Sequence, residues 1–260
     1  MNSTERRGIS AGSVEDLDLE AVRSFFAEHA PALAGAEADL EEGLRQLQLV
    51  TGGGSRVSPT VAGLYVFGEH PQWLLPQLGI VAAQFDGRAL SDPVESRAHI
   101  EGALPTLVER AEEFVRSNAR QMVNQIQPES SDLEFPLTAV REAIVNALVH
   151  RDLNAGGQVA VRLFEDRLEV WSPGSTALPR DIGEYLQDGG VSITRNPLVA
   201  YLARRLGFAE QLGRGLPTIR RSVQESIHGE VEISADKEGV LVVIPSGLHT
   251  RVTGDVQMAN

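Results

Sequence analysis

Between residues 137 and 150 the apolar side chains Ala139, Val140, Ala143, Ile144, Val145, Ala147, Leu148 and Val149 would cover most of the circumference of a helix. Such a helix is buried on nearly every side. Its polar residues Thr138, Glu142, Asn146 and His150 recur every fourth position, and at about 100° per residue they draw one narrow, slowly drifting stripe. That stripe must open onto a cleft or be satisfied internally, for instance by the neighbouring Arg141 and Arg151.

Upstream, the pattern predicts amphipathic helices over Leu17 to His29 and Ala36 to Leu49, then a turn at Gly52-Gly53-Gly54 between two short apolar runs. Helix, helix and hairpin could form a winged helix. The second helix, however, carries Glu37, Asp39, Glu41 and Glu42, the wrong sign to face phosphate, which favours a helical packing arm. Val61 to Phe67 and Gly79 to Phe85 read as strands around a Pro-containing turn from His70 to Pro76. A long helix starts near Pro105, and Leu107, Val108, Ala111, Phe114, Val115, Met122 and Ile126 fall largely at steps of three and four. Ser130, Ser131 and Asp132 break that pattern.

After the break come the polar-striped helix, strands from Gln158 to Phe164 and Leu168 to Trp171 around a turn at Asp166, a Gly- and Pro-containing stretch, helices from Pro197 to Leu206 and Pro217 to Glu225, and closing strands near Val231 and from Val240 to Ile244. This order predicts an α+β layer with helices on one face of the sheet. The expected organisation is a polar start over 1–14, a helical plus α/β region over 15–128, a second module over 129–247 and a polar tail over 248–260.

Composition narrows the chemistry. The 260 residues contain no cysteine, which removes disulfides, thiolate metal sites and cysteine nucleophiles. Lys237 is the sole lysine and no G-x-x-x-x-G-K-[ST] surrounds it, so a P-loop motor is excluded. A formal charge of −13 opposes bulk electrostatic capture of nucleic acid, so any DNA contact is expected through a missing or separate domain. No run approaches the ~18 apolar residues of a membrane span, and a cytoplasmic protein is expected.

A carboxylate followed one turn later by an amide, Glu142 and Asn146, offers oxygen ligands for a hard cation and a base able to orient water. Two glycine segments supply places where backbone can approach a ligand. Trp171-Ser172-Pro173-Gly174 follows a strand, and Gly213-Arg214-Gly215 precedes a helix whose exposed N–H groups and dipole favour an anion.

Taken in order, the E-x-x-x-N helix, the hairpin ending in a Gly loop and the later G-x-G before a helix resemble the superfamily of gyrase B, the mismatch-repair MutL proteins and sensor histidine kinases, the Bergerat-fold or GHKL ATPases. FPLTAVREAIVNALVHRD, RLFEDRLEVWSPG, RNPLVAYLARRLGFAEQLGRGLPTIRR and the upstream VAGLYVFGEHPQWLLPQLGIVAAQFDG are similar to bacterial transcriptional regulators that join a Schlafen-like, Alba-type DNA-binding domain to a divergent ATPase module. The resemblance implies a Bergerat-like sandwich of a mixed β-sheet with helices on one face, preceded by a smaller helical and α/β region, and implies ATP and Mg as cofactors.

Carried over to matching positions, Glu142 would orient the attacking water and Asn146 would hold Mg. Gly174 would lie near the adenine, with Ser172 in the first Gly box and His150 further along the stripe. Gly213, Arg214 and Gly215 would face the phosphates, residues from Ser175 to Arg195, with Gly189 and Gly190, would correspond to the lid, and Arg195 and Asn196 would contact phosphate or lid. Two departures weigh on catalysis: Ser172 stands where active members place the adenine-binding aspartate, and the box lacks its second glycine. The expectation is therefore a Mg-ATP-binding regulatory module with slow or absent hydrolysis. The alternative is a degenerate scaffold serving dimerisation or partner binding without nucleotide. A homodimer is compatible with both.

Overall fold

The computed structural model describes residues 4–33, 40–53, 56–123, 131–175, 194–208 and 214–249. Their centre is a six-stranded sheet in the order β4-β3-β7-β8-β10-β9. The strands are β3 (Ile80–Phe85), β4 (Val94–Ile100), β7 (Val159–Leu163), β8 (Arg167–Pro173), β9 (Glu232–Ala235) and β10 (Gly239–Pro245). All neighbours run antiparallel except β3 and β7, which are parallel. This is a mixed-sheet α+β fold, as the element order predicts. Because β3 and β4 precede residue 129 and the other four strands follow it, one sheet joins both halves of the chain.

Alternation along each strand sorts the two faces. Ile80, Ala82, Val161, Val170, Val242 and Ile244 belong to one continuous core with the helices. Against that face lie α5 (Leu104–Asn118) and α6 (Leu137–His150), with α3 (Val61–Phe67), α7 (Pro197–Arg205) and α8 (Gly215–Ile227) packed around them. Farther out are α1 (Leu19–His29), α2 (Leu40–Gln46) and the hairpin of β1 (Val50–Gly53) and β2 (Arg56–Pro59).

Several expectations are corrected. Val61–Phe67 is helix, not strand: all seven residues are buried, and a run that is apolar on every side carries neither a two-residue nor a 3.6-residue rhythm. Thr60 starts it by accepting the Gly63 N–H on its hydroxyl at 3.0 Å. The turn from His70 to Pro76 holds a short helix, α4 (Pro71–Leu74). The helix near Pro105 ends at Asn118 rather than near Ile126, and Met122 lies instead on β5 (Gln121–Val123), paired with β6 (Ser131–Leu133). Strand β4 is an addition, hidden in sequence because VESRAHI is a mostly exposed run beside only one neighbour. Of the second amphipathic helix, residues 36–39 lie outside the described residues. No helix among the described residues is long and apolar enough to cross a membrane.

Candidate functional site

Helix α6 forms as its pattern dictates. Eight apolar residues from Ala139 to Val149 are buried, while Thr138 and His150 are exposed at the two ends of the polar stripe and Glu142 and Asn146 are half-buried between them. The stripe thus reaches solvent. Asn146 Nδ2 donates to Glu142 Oε1 at 3.1 Å, so the amide and the carboxylate present a joined polar surface. Nearby arginines are engaged elsewhere: Arg141 pairs with Glu112 at 2.8 Å and Arg151 donates to the Gly157 carbonyl.

That surface meets the first turn of α8. A Cβ placed on Gly215 would overlap Glu142 Oε1 and lie 2.9 Å from Asn146 Nδ2 and 3.3 Å from Asn146 Oδ1. A side chain at this position would make the Glu142 carboxylate shift. Arg214, the residue before it, is exposed and caps α8 without a side-chain hydrogen bond. The structure therefore brings together Glu142, Asn146 and Gly215, three residues separated by up to 73 positions. Gly213 and the segment with Gly189 and Gly190 lie outside the described residues.

The remaining candidates gather elsewhere. His150 sits eight residues beyond Glu142, about 12 Å along the helix axis, and desolvation of its ring holds its pKa below the usual imidazole value. Ser172 is buried, and its hydroxyl donates to the Ala147 carbonyl at 2.8 Å, tying β8 to α6. Gly174 has φ +98, and a Cβ there would overlap Asp152. Arg195 pairs with Asp152 Oδ2 at 2.8 Å and donates to the Ser175 carbonyl at 2.6 Å, joining the chain on either side of residues 176–193. Asn196 is buried and donates to the carbonyls of Val149 and Arg151 at 2.9 and 2.8 Å, satisfying acceptors that the end of α6 leaves open.

Three further residues, of which only Arg151 was named from sequence and then as a partner for the polar stripe, organise this second cluster. Asp152 turns the chain after α6, accepting from Asn154 N at 2.8 Å as well as from Arg195; an aspartate just past a helix end was the available signal. Arg151 is fully buried, with Nη2 on the Gly157 carbonyl at 2.7 Å and with Nε and Nη1 unpartnered among the described residues. Beside it, burial pushes the Tyr65 phenol up to about 12, against the opposing pull of Arg151. Glu5, also fully buried, accepts the N–H groups of Leu198 and Val199 at 2.9 and 3.1 Å, placing a carboxylate on the start of α7. No sequence pattern links residues 5 and 198.

Among the described residues no three acidic or histidine groups cluster as a metal site of their own. A hard cation at Asn146 would therefore complete its shell from phosphate oxygens and water, the usual arrangement for magnesium with a nucleotide. The Glu142 and Asn146 oxygens beside a side-chain-free helix start fit that requirement.

Residues 156–244 match the family model described as "Putative ATP-dependent DNA helicase recG C-terminal". Helix α6, with Glu142 and Asn146, lies just ahead of the matched span. Among solved structures, the DIP2311 protein from Corynebacterium diphtheriae is similar in fold, with a TM-score of 0.64 at 23% identity over 94% of this chain and 47% of that one. The chain spans about half the length of that relative. No curated protein matches. Residues 156–244 are thus an ATPase-like module, related to the recG C-terminal family, within a mixed-sheet α+β fold.

Proposed function

We propose that the chain is a Mg-ATP-binding regulatory module whose nucleotide site lies between α6 and the start of α8, with hydrolysis slow or absent. The observation that carries this reading is the convergence of Glu142 and Asn146 on Gly215. The start of α8 and the positive end of its dipole face the polar surface, an environment that favours phosphate. Asn146 Oδ1 is a ligand for the cation that accompanies the phosphates, and the Glu142 carboxylate is the group able to hold a water for attack. Gly215 keeps the approach open.

Arg195 is held to Asp152 and to the Ser175 carbonyl, next to the end of α6. A ligand on α6 and α8 would favour one arrangement of the neighbouring chain and so alter what a partner meets. A DNA-linked role would belong to a domain outside this chain, since the net charge here is −13.

One observation favours the scaffold reading, in which the fold persists without nucleotide. Ser172 stands where adenine selection is expected, and its hydroxyl is committed to the Ala147 carbonyl. The two readings separate in an assay of Mg-dependent binding with variants. Under the nucleotide reading Asn146→Ala weakens binding only when Mg is present, and Glu142→Ala retains binding while abolishing any turnover. Identical null binding by the wild type and both folded variants supports the scaffold.

A further inference from the structure

Among the described residues the helices occupy one face of the sheet and leave the other open. Register fixes what stands on that open face. One row across the strands reads His99, Val81, Ala160, Trp171, Leu241, Ser234, and the next reads Arg97, Ala83, Arg162, Glu169, Val243, Glu232. Small residues over β3 and β7 leave a depression of about 350 Å³ lined by Val81, Ala83, Ala160, Arg97 and Trp171 among others. Leu241 and Val243 on β10 form a ridge beyond it. Trp171 lies low because Gly239, whose Cβ would overlap the indole, offers no side chain beneath it. Val94, 42% exposed, extends the apolar surface beside Phe85.

The charges in the second row follow the same division. Arg162 and Glu169, on the inner strands, pair with each other at 3.5 Å. Arg97 on β4 and Glu232 on β9 are exposed and make no ion pair among the described residues. Five strand spacings, roughly 24 Å, separate them, too far to pair within one chain.

Turning the sheet about an axis parallel to its strands, between β7 and β8, reverses the order of each row. Depression then meets ridge where Val81 faces Leu241 of the partner subunit and Ala83 faces the partner's Val243, while near the axis Ala160 faces the partner's low-lying Trp171. At the edges Arg97 faces the partner's Glu232, twice by symmetry. We infer that this open face is an interface for a second copy of the chain, packed sheet on sheet through a twofold axis. Aligned sheets cross at about 30°, and the long Arg97 and Glu232 side chains span the offset this adds at the edges. The contact is isologous, as a twofold requires. Six strands by about five residues give roughly 400–500 Å² of projected area per copy, the low end for a specific interface, so the dimer is reversible and concentration-dependent. This inference does not rest on nucleotide binding.

Sedimentation equilibrium of the whole chain tests it. The wild type should rise toward twice the monomer mass with concentration in the micromolar range. Arg97→Glu and Glu232→Arg should each weaken association by about tenfold or more, because each places like charges together at both edges. An equimolar mixture of the two variants should restore dimers, since in the mixed pair both edges become complementary. The double variant should associate like the wild type, and it keeps the result readable if one single variant folds poorly. A wild type that stays monomeric to high concentration overturns the inference. So does a dimer indifferent to these changes, or a mixture and double variant no better than the single variants.

Discussion

Asn146 Nδ2 donates to Glu142 Oε1 at 3.1 Å across one turn of α6, and both groups abut the backbone of Gly215. A helix that is otherwise apolar thus keeps two polar side chains half-buried at the start of another helix. Drawing polar side chains out of water costs free energy unless they are hydrogen-bonded, and this pair meets that cost in part by bonding across one turn.

Gly215→Ala tests how tight this approach is. The added Cβ would overlap Glu142 Oε1, so either the carboxylate or the helix start must move, and nucleotide affinity should fall at least tenfold together with about 1–3 kcal/mol of stability. Gly156→Ala is the control, because nothing lies within 4 Å of a Cβ at that position. Equal behaviour of the two variants in denaturant melts and binding assays would show that Gly215 is not a point of close approach.

Asn196→Ala removes two donors from the buried carbonyls of Val149 and Arg151. A loss of about 1–3 kcal/mol is expected, lowering the melting temperature of a chain this size by several degrees. A calorimetric scan with an unchanged midpoint would contradict the assignment of Asn196 as the tie between α6 and α7.

The reading of α6 from sequence succeeded because burial on most sides leaves its polar stripe conspicuous, and the structure has helix over Leu137–His150 as the pattern predicts. Strands β7, β8 and β10 were legible because apolar residues bounded by turns marked them. Val61–Phe67 was not legible, since its wholly buried surface erases periodicity and the one local clue was the capping Thr60. At the site, Glu142, Asn146 and Gly215 could be named in advance from residue type and spacing. Their mutual contact could not, nor could the engagement of Ser172 and Asn196 with carbonyls of α6 and the residue after it, because both depend on long-range packing.

Ser172→Ala should cost about 1 kcal/mol through loss of the hydrogen bond to Ala147. Because that hydroxyl points into α6, nucleotide affinity should be unchanged within a factor of about two. A tenfold loss of affinity in a folded Ser172→Ala variant would instead place the hydroxyl on the ligand.

Alkaline stability should report on Tyr65. Its phenol, ordinarily at 10.0, is pushed up to about 12 in the folded chain by burial, so the folded state holds the proton more tightly than the unfolded state. The resulting stability is fully present below pH 10 and is lost as pH rises from 10 toward 12, an effect of about 2–3 kcal/mol. Tyr65→Phe should cost about 1 kcal/mol at pH 8, where it loses the bond to the Leu148 carbonyl, and should show a shallower decline above pH 10. Parallel urea melts at pH 8 and pH 11 check this; equal slopes for the two proteins would refute it.

The most direct test of the nucleotide site is the melting temperature of the chain with Mg and a nonhydrolysable ATP analogue, compared with each alone. Binding at 100 times the dissociation constant adds about 2.7 kcal/mol, a shift of several degrees. The account predicts that shift for the wild type, reduced in Asn146→Ala only when Mg is present. No shift at millimolar nucleotide, in a chain that is otherwise folded, would contradict it.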